Sequence, residues 1–412
     1  MTSNPATGVT DPRLPSTADA SDGRTIAALL PIMALVLIAF LIIGLALPVL
    51  PLHVHQGLGL GTFVVGLVTG SQFAAALLSR VWSGRYADQR GAKRAVLAGL
   101  VAAAAAGGLY LLSLRFLDTP SISAAILLLG RGLLGGAESF IITGAVSWGL
   151  TLAGPERAGR VIAWIGMAMF AALALGAPLG TALYTVGGFT AVAAVTVLVP
   201  AAAILLAGLL PSVPPPGGSR PSLITMARAV WMPGFGSALS SVGFGAIIAF
   251  GSLLSADRGW SPIWLVFSSF ALALVAARLL FGHLPDRLGG ARVALACVLI
   301  EAAGLALIWL APDRVLAAVG AALAGIGYSL VYPGLGVEAV RRAPPQSRGL
   351  AMGAYTTCLD IALGFGSPAL GLAASQVGLG SVFLVSALTA LAAAAVTLRL
   401  ARAAGTHREG AG

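Results

Sequence analysis

Charge is scarce in this 412-residue chain: Asp, Glu, Lys and Arg make up 9% of it, against 58% hydrophobic residues and a mean hydropathy of +0.96. A soluble domain carries roughly a quarter charged residues, and a single soluble core stops growing at about 250–300 residues. So much apolar side chain cannot be hidden from water, which excludes an ordinary soluble enzyme. Lysine is rarer still. The only one, Lys93, follows Ala92, so no phosphate loop of the form G-x-x-x-x-G-K-S/T is present, and with it goes the usual equipment of an ATP-driven pump. The two cysteines, Cys297 and Cys358, both lie in apolar runs, which leaves neither a disulfide framework nor a thiolate metal site. The apolar runs hold no nucleophile–base constellation and no H-E-x-x-H motif. No catalytic residue, metal or cofactor is expected, and the chain does not read as an enzyme.

What is present is hydrocarbon in long runs. A bilayer-crossing helix needs about 20 mostly apolar residues, and twelve segments meet this: 26–50, 61–83, 94–114, 121–149, 159–184, 189–211, 229–254, 261–281, 291–311, 315–339, 348–373 and 377–401. Internal Pro48, Pro178, Pro333 and Pro368 do not count against helices here, because neighbouring helices can satisfy the freed backbone groups. Residues 1–25 hold three prolines, three aspartates and no apolar core; they read as a disordered tail rather than a signal peptide.

The few charges set the orientation. With the N-terminus in the cytoplasm, that face carries Arg85, Arg90, Lys93, Arg94, Arg157, Arg160, Arg220, Arg228, Arg287, Arg292, Arg341, Arg342 and Arg348, while the other keeps only Arg115, Arg258 and Arg314, each near an aspartate. Such asymmetry over short loops is the positive-inside signal. The net charge of +10 is then a matter of topology. Scattered arginines form no stripe for nucleic acid, which is not expected as a partner.

The chain also repeats itself. Arg80, Gly84, Asp88 and Gly91 recur as Arg278, Gly282, Asp286 and Gly289, all at an offset of 198, and Gly144, Gly159, Gly176 and Pro178 recur as Gly334, Gly349, Gly366 and Pro368 at an offset of 190. Between the copies lies a Pro/Gly linker within residues 212–228, with no helical pattern. The expected fold is therefore an all-α membrane protein of twelve helices in two pseudo-symmetric six-helix halves, 26–211 and 229–402, flanked by tails 1–25 and 403–412. This is the repeat architecture of a secondary transporter, which binds its substrate between the halves near the midplane.

The loop after the second span reads G-x-x-x-D-x-x-G-x-R/K-R/K, as Gly84, Asp88, Gly91, Lys93 and Arg94, with a weaker copy in Gly282, Asp286, Gly289 and Arg292. On these motifs the sequence resembles the major facilitator superfamily over residues 26–402, and the stretch from Gly154 to Gly180 is similar to its arabinose-efflux-permease-like, drug:proton-antiporter-like branch. The resemblance implies that these loop residues form a cytoplasmic gate. Asp88 is suited to accept backbone N–H bonds at a helix N-terminus, where the macrodipole favours a carboxylate; the resemblance makes that neighbour the eleventh helix, starting near Arg348.

Ionisable groups at bilayer depth are expensive and so are functional candidates. Four stand out: Arg131, Glu138, Glu301 and Asp360. Arg131 and Glu138, seven residues apart, share one helix face about 10 Å apart along the axis, too far for direct contact but suited to two points on a cavity wall. Arg131 resembles the arginine of the exporters' R-x-x-Q-G motif, with Leu134 in place of the glutamine. Glu138 and Asp360, on helices that the family places beside its cavity, are the expected proton-coupling groups, with Arg131. Glu301, on a helix that the family places at the periphery, is expected to make a helix–helix hydrogen bond. The first span has no polar side chain between Ile26 and Leu52, so polarity in the substrate cavity falls to Gln72, Ser240, Ser241, Tyr328, Tyr332, Tyr355 and Thr356, with Trp148, Trp164 and Phe244 as aromatic candidates. Tyr328 is the repeat equivalent of Glu138. His53 and His55 read as solvated residues at the outer end of the first helix.

The expected function is secondary active export of a small amphipathic organic solute or drug against proton entry, by alternating access, from a monomer in a bacterial inner membrane. Its partners are the solute, protons and the lipid bilayer. Proton-coupled import or facilitated passage stays open, because cavity residues do not state direction; a non-transporting sensor is the remaining alternative.

Overall fold

A computed structural model describes residues 17–153, 158–213, 223–342 and 348–409. Every regular element among them is helical, as hydrocarbon demands: with no water to satisfy backbone polar groups, a spanning segment must bond to itself. The helices are α1 (Thr17–Ala46), α2 (Val49–Leu52), α3 (Thr62–Arg90), α4 (Ala92–Ser113), α5 (Pro120–Ala153), α6 (Ala158–Leu209), α7 (Leu223–Asp257), α8 (Leu265–Phe281), α9 (Leu284–Leu288), α10 (Gly290–Leu310), α11 (Arg314–Arg341), α12 (Arg348–Val377) and α13 (Gly380–Glu409). Ten helices among the described residues are long and apolar enough to cross a membrane. One of these, within α6, holds two expected spans: Gly187 (φ −134°, ψ 16°) and Gly188 (φ 62°, ψ −162°) break it where the fifth was to end and the sixth to begin. The shorter apolar helix α8, 17 residues long, supplies the remaining one.

The boundaries depart from expectation where local chemistry intervenes. The first span does not stop at residue 50: after Pro48 the chain continues through α2 into a π-helical turn, His53–Gly57. His53 is therefore buried, not solvated, with its ring stacked on Phe189 at 4.2 Å, while the His55 ring nitrogen lies 2.8 Å from the Leu60 carbonyl oxygen. Helix α1 begins at Thr17 and α13 runs to Glu409, so both reach into the stretches read as tails, and α7 begins at Leu223 within the expected linker. The motif expected as a loop after the second span forms the last turns of α3, which continues through Gly84 and Asp88 and stops at Gly91. In the second copy Pro285 stands where the first has Ala87; lacking an N–H, it interrupts the helix, leaving the short α9 after α8. Gly91 (φ 92°) and Gly289 (φ 96°) turn the chain identically at equivalent positions, a conformation open to glycine alone at little cost.

Packing follows small residues. In lipid no hydrophobic drive pulls helices together, so close backbone approach does much of the work. Gly135 on α5 lies against the Gln72 carbonyl on α3, and Gly325 on α11 lies against the Phe270 carbonyl on α8, the same crossing twice at the repeat offsets. Gly144 against the Ala92 carbonyl is repeated by Gly334 against the Gly290 carbonyl. Among α1–α6 the main contacts are α4 with α5, α1 with α6 and α3 with α5; among α7–α13 they are α10 with α11, α12 with α7 and α11 with α8. The two sets meet chiefly where α3 packs on α12, and again where α6 meets α8.

Gly135 and Gly136 provide a matched test, since a Cβ at Gly135 overlaps the Gln72 carbonyl whereas one at Gly136 has nothing within 4 Å. Gly135→Ala is expected to cost about 1–3 kcal/mol through overpacking, read as a lowered Tm in detergent. Gly136→Ala is expected to leave Tm unchanged or raised.

Candidate functional site

The contact of α3 with α12 positions the polar residues. It starts at the Thr62 hydroxyl, which donates to the Gly371 carbonyl at 2.8 Å, and passes Gly66 against Ser367 and Pro368 and Gly70 against Gly364. At its other end Arg80 Nε donates to Asp360 Oδ2 in an ion pair between the helices. Asp360 is buried and the Arg80 side chain is 27% exposed, so the charges are largely out of water and each needs the other.

Helix α3 turns a second row of polar groups towards α5. Gln72 and Ser83 lie about 20° apart around the helix axis. Gln72 Nε2 donates to Glu138 Oε2 at 2.6 Å, and the Ser83 hydroxyl lies 3.1 Å from that of Ser139 and 3.2 Å from that of Thr143. Glu138, half-buried, is within electrostatic reach of Arg80, Asp360 and Arg131. From α11 the Tyr332 hydroxyl pairs with that of Thr356 at 2.6 Å, and Tyr355 donates to the Tyr332 carbonyl at 2.9 Å. Tyr332 also senses Arg80, Asp360 and Arg278 electrostatically. Glu138, Asp360, Gln72, Tyr332, Tyr355 and Thr356 therefore form one neighbourhood.

Other candidates are placed elsewhere. Ser240, fully buried, donates to Glu301 at 2.5 Å, which ties α7 to α10 by the helix–helix bond expected of that glutamate. Ser241 lies 3.2 Å from the Tyr328 hydroxyl, and Phe244 stacks on Tyr328 and Phe270 with ring centroids 5.1 and 5.7 Å apart. These side chains pack within the second set of helices. Trp148 is buried in the first set, with Nε1 unpartnered, and Trp164 is half-buried on α6. Arg131 has no exposed surface, and its Nε and Nη1 lack hydrogen-bond partners; the Tyr110 hydroxyl is near enough to interact with it.

The motif residues divide. Lys93 donates to the Gly208 and Leu210 carbonyls at 2.8 and 2.6 Å. It thus holds the C-terminal end of α6, where the dipole favours a cation, rather than facing α12. Arg94, Gly282 and Arg292 are exposed, Gly84 and Gly91 are buried, Gly289 is intermediate, and Asp88 is half-buried in the last turn of α3. The side chains of Asp286 and Arg348 lie outside the described residues.

Two participants were not among the four intramembrane ions expected: Arg80 and Arg278. Both sit inside expected spans, 61–83 and 261–281, so charge within a span was the signal that would have found them; the repeat pattern marks them only as matching positions. Arg278 lies over the Phe170 ring at 4.8 Å and donates from Nη2 to the Ser329 carbonyl at 3.0 Å. No group of three or more His, Cys, Asp or Glu among the described residues could hold a metal.

Comparison with known proteins adds a family context. The profile described as Major Facilitator Superfamily matches residues 32–265 and again 234–411. An uncharacterised MFS-type transporter of Salmonella typhimurium is 42% identical over 381 residues, 92% of this chain and 97% of that protein. One from Pseudomonas aeruginosa is 40% identical over 390 residues, 94% and 96% of the two chains. Among solved structures, a bacterial homologue of the human lysosomal transporter Spinster, inward-facing and occupied, aligns with a TM-score of 0.71 at 16% identity, covering 91% of this chain and 96% of that one. The human organic anion transporter MFSD10 aligns with a TM-score of 0.66 at 17% identity, covering 90% and 99%. Likeness at such identities speaks for the fold alone.

The ion pair across α3 and α12 can be measured directly. Asp360→Ala is expected to lower stability by about 1–3 kcal/mol, because it leaves the largely desolvated Arg80 guanidinium without its partner. Arg80→Ala combined with Asp360→Ala should cost less than the sum of the single changes, with a coupling of about 1–3 kcal/mol in a double-mutant cycle of detergent unfolding.

Proposed function

The chain belongs to the Major Facilitator Superfamily and is a multi-pass membrane transporter; on that premise we propose that it couples the movement of a small amphipathic organic solute to protons by alternating access. The observation that supports proton coupling is the half-buried Glu138, bonded by Gln72 and beside the Arg80–Asp360 pair. A carboxyl in apolar surroundings is costly as an anion and can take up a proton. Asp360 is the second coupling group. Protonating it would release Arg80 and loosen α3 from α12, so the charge state of the site and the closeness of the two helix sets are linked.

In this reading the two sets are pseudo-symmetric six-helix halves, 26–211 and 229–402, that rock about the site, with both termini in the cytoplasm as the arginine asymmetry directs. The repeated glycine crossings support the symmetry. Asp88 and Asp286 act as inner-face latches, Asp88 on the start of α12. The protein works as a monomer in a bacterial inner membrane.

Direction depends on how solute and proton share the site. If they exclude one another at Glu138, an inward proton gradient drives export by antiport, as the resemblance to efflux proteins implies. If they load together, the same gradient drives uptake. The second has one specific observation in its favour: among the described residues no carboxylate pairs with the Arg278 guanidinium, and its Nε has no hydrogen-bond partner.

Proteoliposomes reporting internal pH separate these readings. Under antiport, a solute gradient directed outward acidifies the lumen; under co-loading, it makes the lumen alkaline. Glu138→Gln is expected to abolish the pH response while keeping solute counterflow. A pH response of wild-type size in that variant would overturn Glu138 as the proton carrier.

A further inference from the structure

Arg80 and Arg278 are the same position in the two copies of the repeat, at an offset of 198, yet they have different partners. Arg80 has the Asp360 carboxylate across α3 and α12. The equivalent contact in the other copy joins α8 to α6, and the residue at the position of Asp360, at the offset of 190, is Phe170. Arg278 accordingly lies over an aromatic ring rather than beside a carboxylate. Its Nε is buried without a hydrogen-bond partner, and its Nη1 faces Gly166, where even a Cβ would stand 3.9 Å away. Among the described residues no carboxylate pairs with it. Tyr332 is within electrostatic reach of Arg278 and also of the Arg80–Asp360 pair, which sets the guanidinium on the margin of the same site. A guanidinium out of water is costly unless something offsets its charge, and a planar fork of N–H donors matches a carboxylate.

We propose that Arg278 takes the anionic group of the transported solute, so that the solute's carboxylate supplies here what Asp360 supplies to Arg80. The aromatic rings nearby, Phe170 under the guanidinium and Tyr332, favour an apolar or aromatic body beside the carboxylate, which makes the solute class a small monocarboxylate with a hydrophobic skeleton. The inference rests on the transport reading and deepens it.

The full-length protein in nanodiscs tests this by thermal stabilisation, since a ligand that binds the native state raises Tm by mass action. The probes are phenylacetate, indole-3-acetate and isovalerate at millimolar concentration, each beside its uncharged amide and the corresponding amine. Saturable stabilisation by at least one acid and not by its amide or amine is expected. Arg278→Gln should weaken that binding about 10- to 100-fold, the worth of a charge-assisted hydrogen bond. Arg278→Lys should recover part of it, and Arg258→Gln, in an outer loop, should match wild type. Equal stabilisation by amide, stabilisation by the amine instead, no shift with any acid, or undiminished binding in Arg278→Gln each overturns the proposal; the wild-type comparison stands even if the Arg278 variants fail to fold. An acid that binds through Arg278 but is not carried into proteoliposomes would overturn the transport reading and leave the binding site standing.

Discussion

The Arg80–Asp360 ion pair is the interaction on which the central arrangement depends. Its members sit on α3 and α12, the helices through which the two sets chiefly meet, and neither charge has enough water to stand alone. The pair exists only while α3 and α12 are together at that depth. Separating them requires that the charges part or that Asp360 be neutralised, so helix packing and the ionisation of the site are one equilibrium. The glycines that let α3 and α12 approach from Gly66 and Gly70 to Gly364 and Gly371 bring the pair within bonding distance. Gln72 and Ser83, on another face of α3, tie the same helix to Glu138, Ser139 and Thr143 on α5. One helix thus touches both coupling candidates.

Duplication explains the frame, and divergence explains the chemistry. The crossing of Gly135 on the Gln72 carbonyl and that of Gly325 on the Phe270 carbonyl are the same backbone contact. The side chains at these crossings differ. Where the first copy has Gln72 bonded to Glu138, the second has Phe270 near Tyr328, with ring centroids 6.1 Å apart. Where one interface has Arg80 with Asp360, the other has Arg278 over Phe170. Backbone approach at a crossing tolerates no Cβ, so those glycines recur in both copies. Side chains beside the crossings meet no such limit. Among the described residues, ionisable and amide groups meet where α3 packs on α5 and α12, and aromatic rings with the Arg278 guanidinium meet where α8 packs on α11 and α6.

Much of the fold was legible in the sequence, because lipid reduces the choice of structure to helices that are long and apolar enough. The twelve segments, the repeat and the break at Gly187–Gly188 all follow from hydrophobic runs and glycine spacing. Boundaries were less legible: α3 runs on past residue 83 into the motif because nothing before Gly91 stops it, whereas Pro285 stops its counterpart early. Part of the site was legible too. Glu138 and Asp360 stand out as charges among apolar residues, and Gln72, Tyr332, Tyr355 and Thr356 do join them. Ser240, Ser241 and Phe244 do not, since α7 turns them towards α10, α11 and α8. His53, polar and at a span end, is drawn inward by the π-helical turn and the Phe189 ring.

By itself, then, the sequence marked the apolar segments that form helices, a repeated pattern of glycines and charges along the chain, and which few residues carry charge where charge is costly. Those are properties of single segments, set by hydropathy and by the need of each segment to satisfy its own backbone. Only the tertiary structure decided who meets whom. Arg80 faces Asp360 from 280 positions away, Arg278 faces an aromatic ring in place of an acid, and Lys93 holds the end of α6 rather than guarding α12. Pairing of buried charges depends on the rotation and depth of helices far apart in the chain. Neither is written in the hydropathy of any one of them.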